Sequence, residues 1–150
     1  MLIAIGCDHR GIELKEKVKK LLHDTGHQYK DFGCYDDKCV DYPDIAEAVS
    51  RSVVSKEAER GILICSTGAG MCIAANKVNG IRAVLCFDSF LALRARQHND
   101  ANVLCLAASV SPDSIRDIVT NFLEGVFECG RHQRRIDKIN AVENNNRLNH

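Results

Sequence analysis

The sequence predicts a Rossmann-like, doubly wound α/β sandwich of three layers around a five-stranded parallel sheet. Two observations predict it. Short apolar runs alternate with amphipathic segments five times along the chain. Five β-α units in succession require parallel strands, and right-handed crossovers then place helices on both faces. The length of 150 residues suits one domain, 1–150, with a sizeable core.

The elements follow in order. LIAIG (2–6) reads as the first strand. GIELKEKVKKLLHDTG follows, with Leu14, Val18, Leu21 and Leu22 on one helical face and Gly26 as the stop. QYKDFG is a second, weaker strand. DIAEAVSRSVVSKEAE is a helix with Ile45, Val49 and Val53 aligned and Pro43 just before it. GILIC is the third strand, and a helix runs from Met71 to Val78, ending at Asn79-Gly80. IRAVLCF is the fourth strand, with a helix near 89–98, and NVLCLA is the fifth. Ser111-Pro112 opens a fifth helix as an N-cap with proline at the first turn. A last amphipathic segment carries Ile136, Ile139 and Val142, and the tail ENNNRLNH is expected to fray. The expected strand order is 2-1-3-4-5.

Composition excludes several functions. Lys plus Arg equals Asp plus Glu, 20 each, so no overall field draws the chain to nucleic acid or an anionic membrane. The run Leu2 to Ile5 is too short for a signal peptide, and no run reaches membrane-span length, so a cytoplasmic protein is expected. Eight cysteines stand at 7, 34, 39, 65, 72, 86, 105 and 129. None form a CxxC pair, so the usual zinc-finger and thioredoxin spacings are absent. Cys86 and Cys105 lie in apolar runs and read as core residues.

In a doubly wound sheet, ligands sit beyond the carboxyl ends of the strands, where β1 and β3 diverge. Two loops meet that description: Cys7-Asp8-His9-Arg10 and Cys65 to Gly70. Nucleotide motifs fail there. Gly6 and Gly11 have P-loop spacing, but Ile12 and Glu13 stand where Lys and Ser/Thr belong; Gly68 and Gly70 begin a GxGxxG, but Ile73 takes the third glycine position. The loop Ser66-Thr67-Gly68-Ala69-Gly70 is either a tight turn or a cradle of N–H groups for a phosphate or a developing oxyanion. Cys65 sits just before it, where a thiol ionises more readily than in a core. Asp8 and His9 place a carboxylate and an imidazole at the end of strand one, although Asp8 also suits a helix cap. Gln97-His98-Asn99-Asp100 lies before strand five, out of easy reach of Cys65 within one subunit. Arg131 and Arg135 stand one helical turn apart, as a phosphate clamp or a solvated basic face.

Taken together, IAIGCDHRG, DYPD (41–44), GILICSTGAGM, AANKVNGIRA, RQHNDANVL and GRHQRR resemble the type B ribose-5-phosphate isomerases, in the wider family that includes galactose-6-phosphate isomerase subunits. The resemblance covers nearly the whole chain. It implies an aldose–ketose isomerase that interconverts ribose 5-phosphate and ribulose 5-phosphate without metal or cofactor. It further implies that Cys65 moves the proton between C1 and C2, with Thr67 beside it. The backbone of Ser66, Thr67, Gly68, Ala69 and Gly70 would stabilise the enediolate. His98 would open the furanose ring, Asp8 would handle sugar oxygens, Asn99 would hold the sugar near C1 and C2, and Tyr42 would line the pocket. His9, Arg131 and Arg135 would bind the phosphate. The family builds its site across a homodimer interface, sometimes within a tetramer, which would let His98 serve the partner's Cys65.

Three positions depart from the family pattern. Ala108-Ser109-Val110 stands where an arginine is common, Ser66 replaces a glycine, and Cys129 replaces the first glycine of GGRH. The first leaves phosphate affinity and substrate length open, so allose or galactose 6-phosphate is the nearest alternative substrate. From another class, a non-enzymatic flavodoxin-like binding module shares the architecture. A receiver would need an aspartate where Cys65 stands. A thiol redox protein would need a second cysteine near Cys65, and Cys72 lies seven residues on.

Overall fold

A computed structural model describes residues 1–148. Its elements are β1 (Leu2–Cys7), α1 (Ile12–Asp24), β2 (Gln28–Asp31), α2 (Tyr42–Val54), β3 (Arg60–Cys65), α3 (Ala69–Ala75), β4 (Ala83–Leu85), α4 (Ser89–Asn99), β5 (Val103–Ala107), α5 (Pro112–Glu124) and α6 (Arg131–Leu148). All strand pairs are parallel. Alternate side chains leave opposite faces of each strand. Ile62 and Ile64 therefore join the core beneath α1, α4 and α5, while Leu63 and Cys65 join the core beneath α2 and α3. The three expected layers are present.

The strand order is 2-1-3-5-4, not 2-1-3-4-5. Burial explains the correction. All five residues of β5 are buried, which suits an interior strand. From IRAVLCF only three residues pair, and Val84 and Leu85 are only half buried, which suits a short edge strand. The divergence of the chain between β1 and β3 survives the change. The exchange also brings the end of β5 beside β3, where Ala108 N–H donates to the Cys65 carbonyl at 2.8 Å.

Smaller expectations also shift. α3 begins at Ala69 and closes at Ala75. Ser111 caps α5 without a side-chain hydrogen bond. The tail is helical through Leu148, and Asn149 and His150 lie outside the described residues. Among the described residues no helix is long and apolar enough to cross a membrane.

A buried cation ties α1 to the segment that follows β2. Lys15 of α1 has no exposed surface. Its Nζ lies 2.8 Å from Asp31 Oδ1 and donates to the Cys34 carbonyl at 2.7 Å. This ties the end of β2 and the segment leading to α2 against the sheet. Burial pushes the Asp31 carboxyl up, but hydrogen bonds from Lys15, the Gly33 N–H and Lys19 outweigh it and hold the group below the usual carboxylate range. A lowered folded value stabilises the fold above the unfolded aspartate value. That stability should disappear as pH falls from about 4 through the folded value. Lys15→Ala leaves the carboxylate short of its buried partner and should cost about 3 kcal/mol in urea unfolding at neutral pH.

Candidate active site

The residues of interest fall into two groups at opposite ends of the sheet. The first forms at the carboxyl ends of β1 and β3. Cys65 closes β3 and is 5% exposed. Its Sγ accepts the Gly68 N–H at 3.1 Å. Gly68 allows this bond because its φ is +78°, a left-handed conformation that side chains resist. The loop then presents further donors. Ala69 N–H donates to Thr67 Oγ1 at 3.3 Å. Among the described residues, the N–H groups of Ser66, Thr67 and Gly70 have no acceptor. α3 has only seven residues. What the loop offers an oxyanion is therefore these individual N–H groups rather than a long helix dipole.

Neighbouring elements close in on the loop. A Cβ on Gly70 would lie 2.7 Å from the Tyr42 ring, so Tyr42 packs directly over the loop. Asp8 follows β1, and its N–H donates to the Ile64 carbonyl at 3.1 Å, one residue from Cys65. Its Oδ1 accepts the N–H groups of Arg10 and Gly11 at 2.9 and 3.1 Å, which fixes the carboxylate ahead of α1, while Gly11 is the N-cap itself. His9 Nδ1 is buried with no partner among the described residues. The structure thus gathers Cys65 to Gly70, Asp8, His9 and Tyr42.

Gly68→Ala tests the loop geometry. The new methyl would press on Leu85 Cδ1 and lie 3.0 Å from the Leu106 carbonyl carbon. The left-handed φ alone should cost about 1–2 kcal/mol. A lower melting temperature together with a fall in turnover is expected, because the N–H facing Cys65 moves.

The second group forms where α4 ends and α6 begins. His98 and Asn99 are the last residues of α4. The Asn99 carbonyl accepts Arg82 Nε at 3.1 Å, just ahead of β4, and Asn102 accepts the Gly61 N–H. Both bonds place this group at the amino ends of the strands. Cys65 lies four residues further along β3 than Gly61, about 13 Å of strand rise. One chain therefore does not bring His98 and Cys65 together.

His98 instead stacks on His132 of α6, with ring centroids 4.2 Å apart and planes 9° from parallel. Glu128 Oε2 lies 3.7 Å from His98 Nε2 and 3.6 Å from His132 Nε2, and Arg94 approaches His98 Nε2 at 3.5 Å. Arg131 and Arg135 flank the stack on the exposed side of α6. Burial lowers the His132 pKa, and the charges of His98, Arg131 and Arg135 add to the effect. The sequence reading missed Glu128 and His132. The available signal was their four-residue spacing around GRHQRR.

His98, Glu128 and His132 bring three ligand-type atoms within 4.8 Å of one another. The arrangement does not suit a metal ion. Imidazole lone pairs lie in the ring plane, so two stacked, near-parallel rings do not converge on one ion. Arg94 lies 3.9 Å from the Glu128 carboxylate, and Arg131 and Arg135 are exposed on α6. Cys129, replacing a glycine of the family pattern, holds φ +57° immediately before this group. Ser109, where an arginine is common, is exposed after β5. A groove of about 720 Å³ lies between α2 and α3, lined by Pro43, Glu47, Arg51, Val54, Ala74 and Lys77 among others. It does not include Cys65.

Comparison with known proteins gives a consistent result. Residues 3–139 match the family model described as Ribose/Galactose Isomerase. The chain is 43% identical over 142 residues to ribose-5-phosphate isomerase B of Escherichia coli strain K12, covering 94% of this chain and 95% of that protein. The structure of Clostridium thermocellum ribose-5-phosphate isomerase B matches with a TM-score of 0.94 at 45% identity, covering 97% of this chain and 99% of that one. The Mycoplasma genitalium ribose-5-phosphate isomerase B, solved with bound ribulose-5-phosphate, matches with a TM-score of 0.89 at 44% identity, covering 95% and 96%.

Proposed function

The chain belongs to the ribose/galactose isomerase family, and from that premise we propose that it interconverts D-ribose 5-phosphate and D-ribulose 5-phosphate. The observation that carries the reading is Cys65 Sγ facing the Gly68 N–H at 3.1 Å, beside the open N–H groups of Ser66, Thr67 and Gly70.

Aldose–ketose conversion needs a base next to a cradle for negative charge. The Cys65 thiolate takes the C2 proton of the open-chain aldose, and the electron pair moves onto the C1 oxygen. The resulting enediolate is held by the loop N–H groups. Returning the proton to C1, while the C2 hydroxyl proton passes to the C1 oxygen, yields the ketose, so no redox partner is consumed. Thr67 stands beside the reacting carbons, Asp8 and Tyr42 contact sugar oxygens and the ring face, and His9 meets the phosphate.

Ring opening and the rest of phosphate binding come from a second copy of the chain. His98, Asn99, Arg131 and Arg135 sit too far from their own Cys65. A two-fold dimer places the amino-end group of one protomer against the loop of its partner. His98 then transfers the ring proton, Asn99 holds the C1–C2 end, and the two guanidinium groups clamp the phosphate. The protein works in the cytoplasm as such a homodimer.

Turnover of ribose 5-phosphate and allose 6-phosphate in the presence of chelator tests the substrate. Faster turnover of the five-carbon sugar supports the reading. Turnover of the six-carbon sugar alone replaces the substrate and keeps the chemistry. Binding of either sugar without turnover indicates a binding module.

A further inference from the structure

Two arginines close on Asp100, the residue that follows His98 and Asn99. Asp100 is the C-cap of α4 and holds a left-handed backbone, φ 45° and ψ 43°. The chain therefore leaves the helix sharply, directly after Asn99. Arg96 Nη1 donates to Asp100 Oδ1 at 2.8 Å and to the Ala101 carbonyl at 2.6 Å. Arg82, just ahead of β4, donates from Nη2 to Asp100 Oδ2 at 2.8 Å. Its Nε donates to the Asn99 and Asp100 carbonyls at 3.1 and 3.0 Å. The last turn of α4 is thus held by two guanidinium groups that share one carboxylate.

Arg96 is the buried member of the pair, at 4% exposure. Its Nε also donates to the Gly125 carbonyl at 3.4 Å, in the segment between α5 and α6. A Cβ on Gly125 would lie 2.8 Å from Arg96 Cβ, so the arginine stem packs against bare backbone there. The Glu128 N–H donates to the Gln97 carbonyl at 3.0 Å in the same region. Burying a guanidinium is costly, and an apolar side chain of similar volume is often as stable in its place. What the guanidinium adds is direction, because its donors lie in one plane at fixed angles. Neither Arg96 nor Asp100 has a part in the isomerase chemistry above.

We propose that Arg96 is a positioning residue for isomerisation: by bridging Asp100, the Ala101 carbonyl and the Gly125 carbonyl, it fixes the end of α4 so that His98 and Asn99 meet the sugar held by a partner chain. This rests on the isomerase reading and its shared site. A group supplied across an interface is aimed only by the helix end that carries it. A misplacement of about 1 Å can cost about 10²-fold in rate. Arg96 is buried, while His98 is partly exposed and stacks on His132. Arg96 therefore acts through the backbone of the last turn rather than on the sugar.

Arg96→Met keeps a side chain of similar length and removes the fork. It should lower kcat on ribose 5-phosphate by about tenfold or more. KM should stay within about threefold, because the proposed phosphate clamp lies on α6. Where that variant does not fold, Asp100→Asn takes its place in every arm, since asparagine tolerates the left-handed turn and removes only the carboxylate charge. A kcat within about threefold of wild type in the folded variant overturns the proposal.

Subunit mixing separates positioning from general damage. In hybrids with Cys65→Ala, the Arg96 variant contributes a sound Cys65 and receives a well-placed His98. Activity should rise to about a quarter of the wild-type level. In hybrids with His98→Ala no site is whole, and activity should stay at the average of the two parents. No rise in the first mixture, or a rise in the second, overturns the proposal. Cys65→Ala mixed with His98→Ala is the control. Wild type without isomerase activity, or a control that stays inactive as confirmed hybrids, defeats the reading beneath the proposal, and the positioning role falls with it.

Discussion

Cys65→Ala should fold normally and lose isomerisation by about 10³-fold or more, because the proposed base is gone. The substitution removes one buried sulfur atom from the end of β3 and leaves the strand ladder intact. Its melting temperature should therefore stay close to that of the wild type. Cys65→Ser puts a hydroxyl in the same place, yet at neutral pH that group is a far poorer base. It should be nearly as inactive as the alanine variant. Substrate affinity should change little in both, since the phosphate contacts lie elsewhere. Steady-state kinetics with a parallel thermal melt check this. Activity within tenfold of wild type in a folded Cys65→Ala protein would remove the thiol from the mechanism.

His98→Ala should lower kcat on ribose 5-phosphate by about 10²-fold, the range of a general acid–base contribution. KM should move much less, because the proposed phosphate clamp, Arg131 and Arg135, remains. Stability should also be nearly unchanged. His98 is partly exposed, and its loss removes one ring stack and a 3.7 Å approach to Glu128 rather than a core contact. A kcat within about threefold of wild type would assign ring opening to another group or to solution.

Most of the fold was legible because each element carries its own period. The runs of β1, β3 and β5 are apolar throughout and become strands buried on both faces. Leu14, Val18, Leu21 and Leu22 mark the inner face of α1 and are buried there. The order of β4 and β5 was not legible. IRAVLCF and NVLCLA both read as strands in sequence, with nothing to say which lies inside. Only three residues of IRAVLCF pair, because Arg82 turns onto the Asn99 and Asp100 carbonyls before the strand begins, and Phe87 is exposed beyond it. Such choices depend on packing between distant segments, which local pattern does not carry.

The site shows the same division. Cys65 and its loop were legible because a doubly wound sheet fixes where a strand–loop–helix junction must lie. So was the separation of His98 from Cys65, which follows from the direction of α4. The stack of His98 on His132 was not, since it depends on how α6 docks on α4. Lys15 was hidden for another reason. On the helix period it falls beside Leu14 and Val18, but a lysine there reads as a solvated edge until Asp31 and the Cys34 carbonyl are seen around it.

The central claim is that each site takes its base from one chain and His98 from another. Mixing Cys65→Ala and His98→Ala subunits under exchanging conditions tests it most directly. Random pairing makes half of the dimers hybrids, and each hybrid holds one intact site. Activity should rise from almost none to about a quarter of the wild-type level. No rise, with hybrids confirmed by native mass spectrometry, would contradict a site shared between two chains.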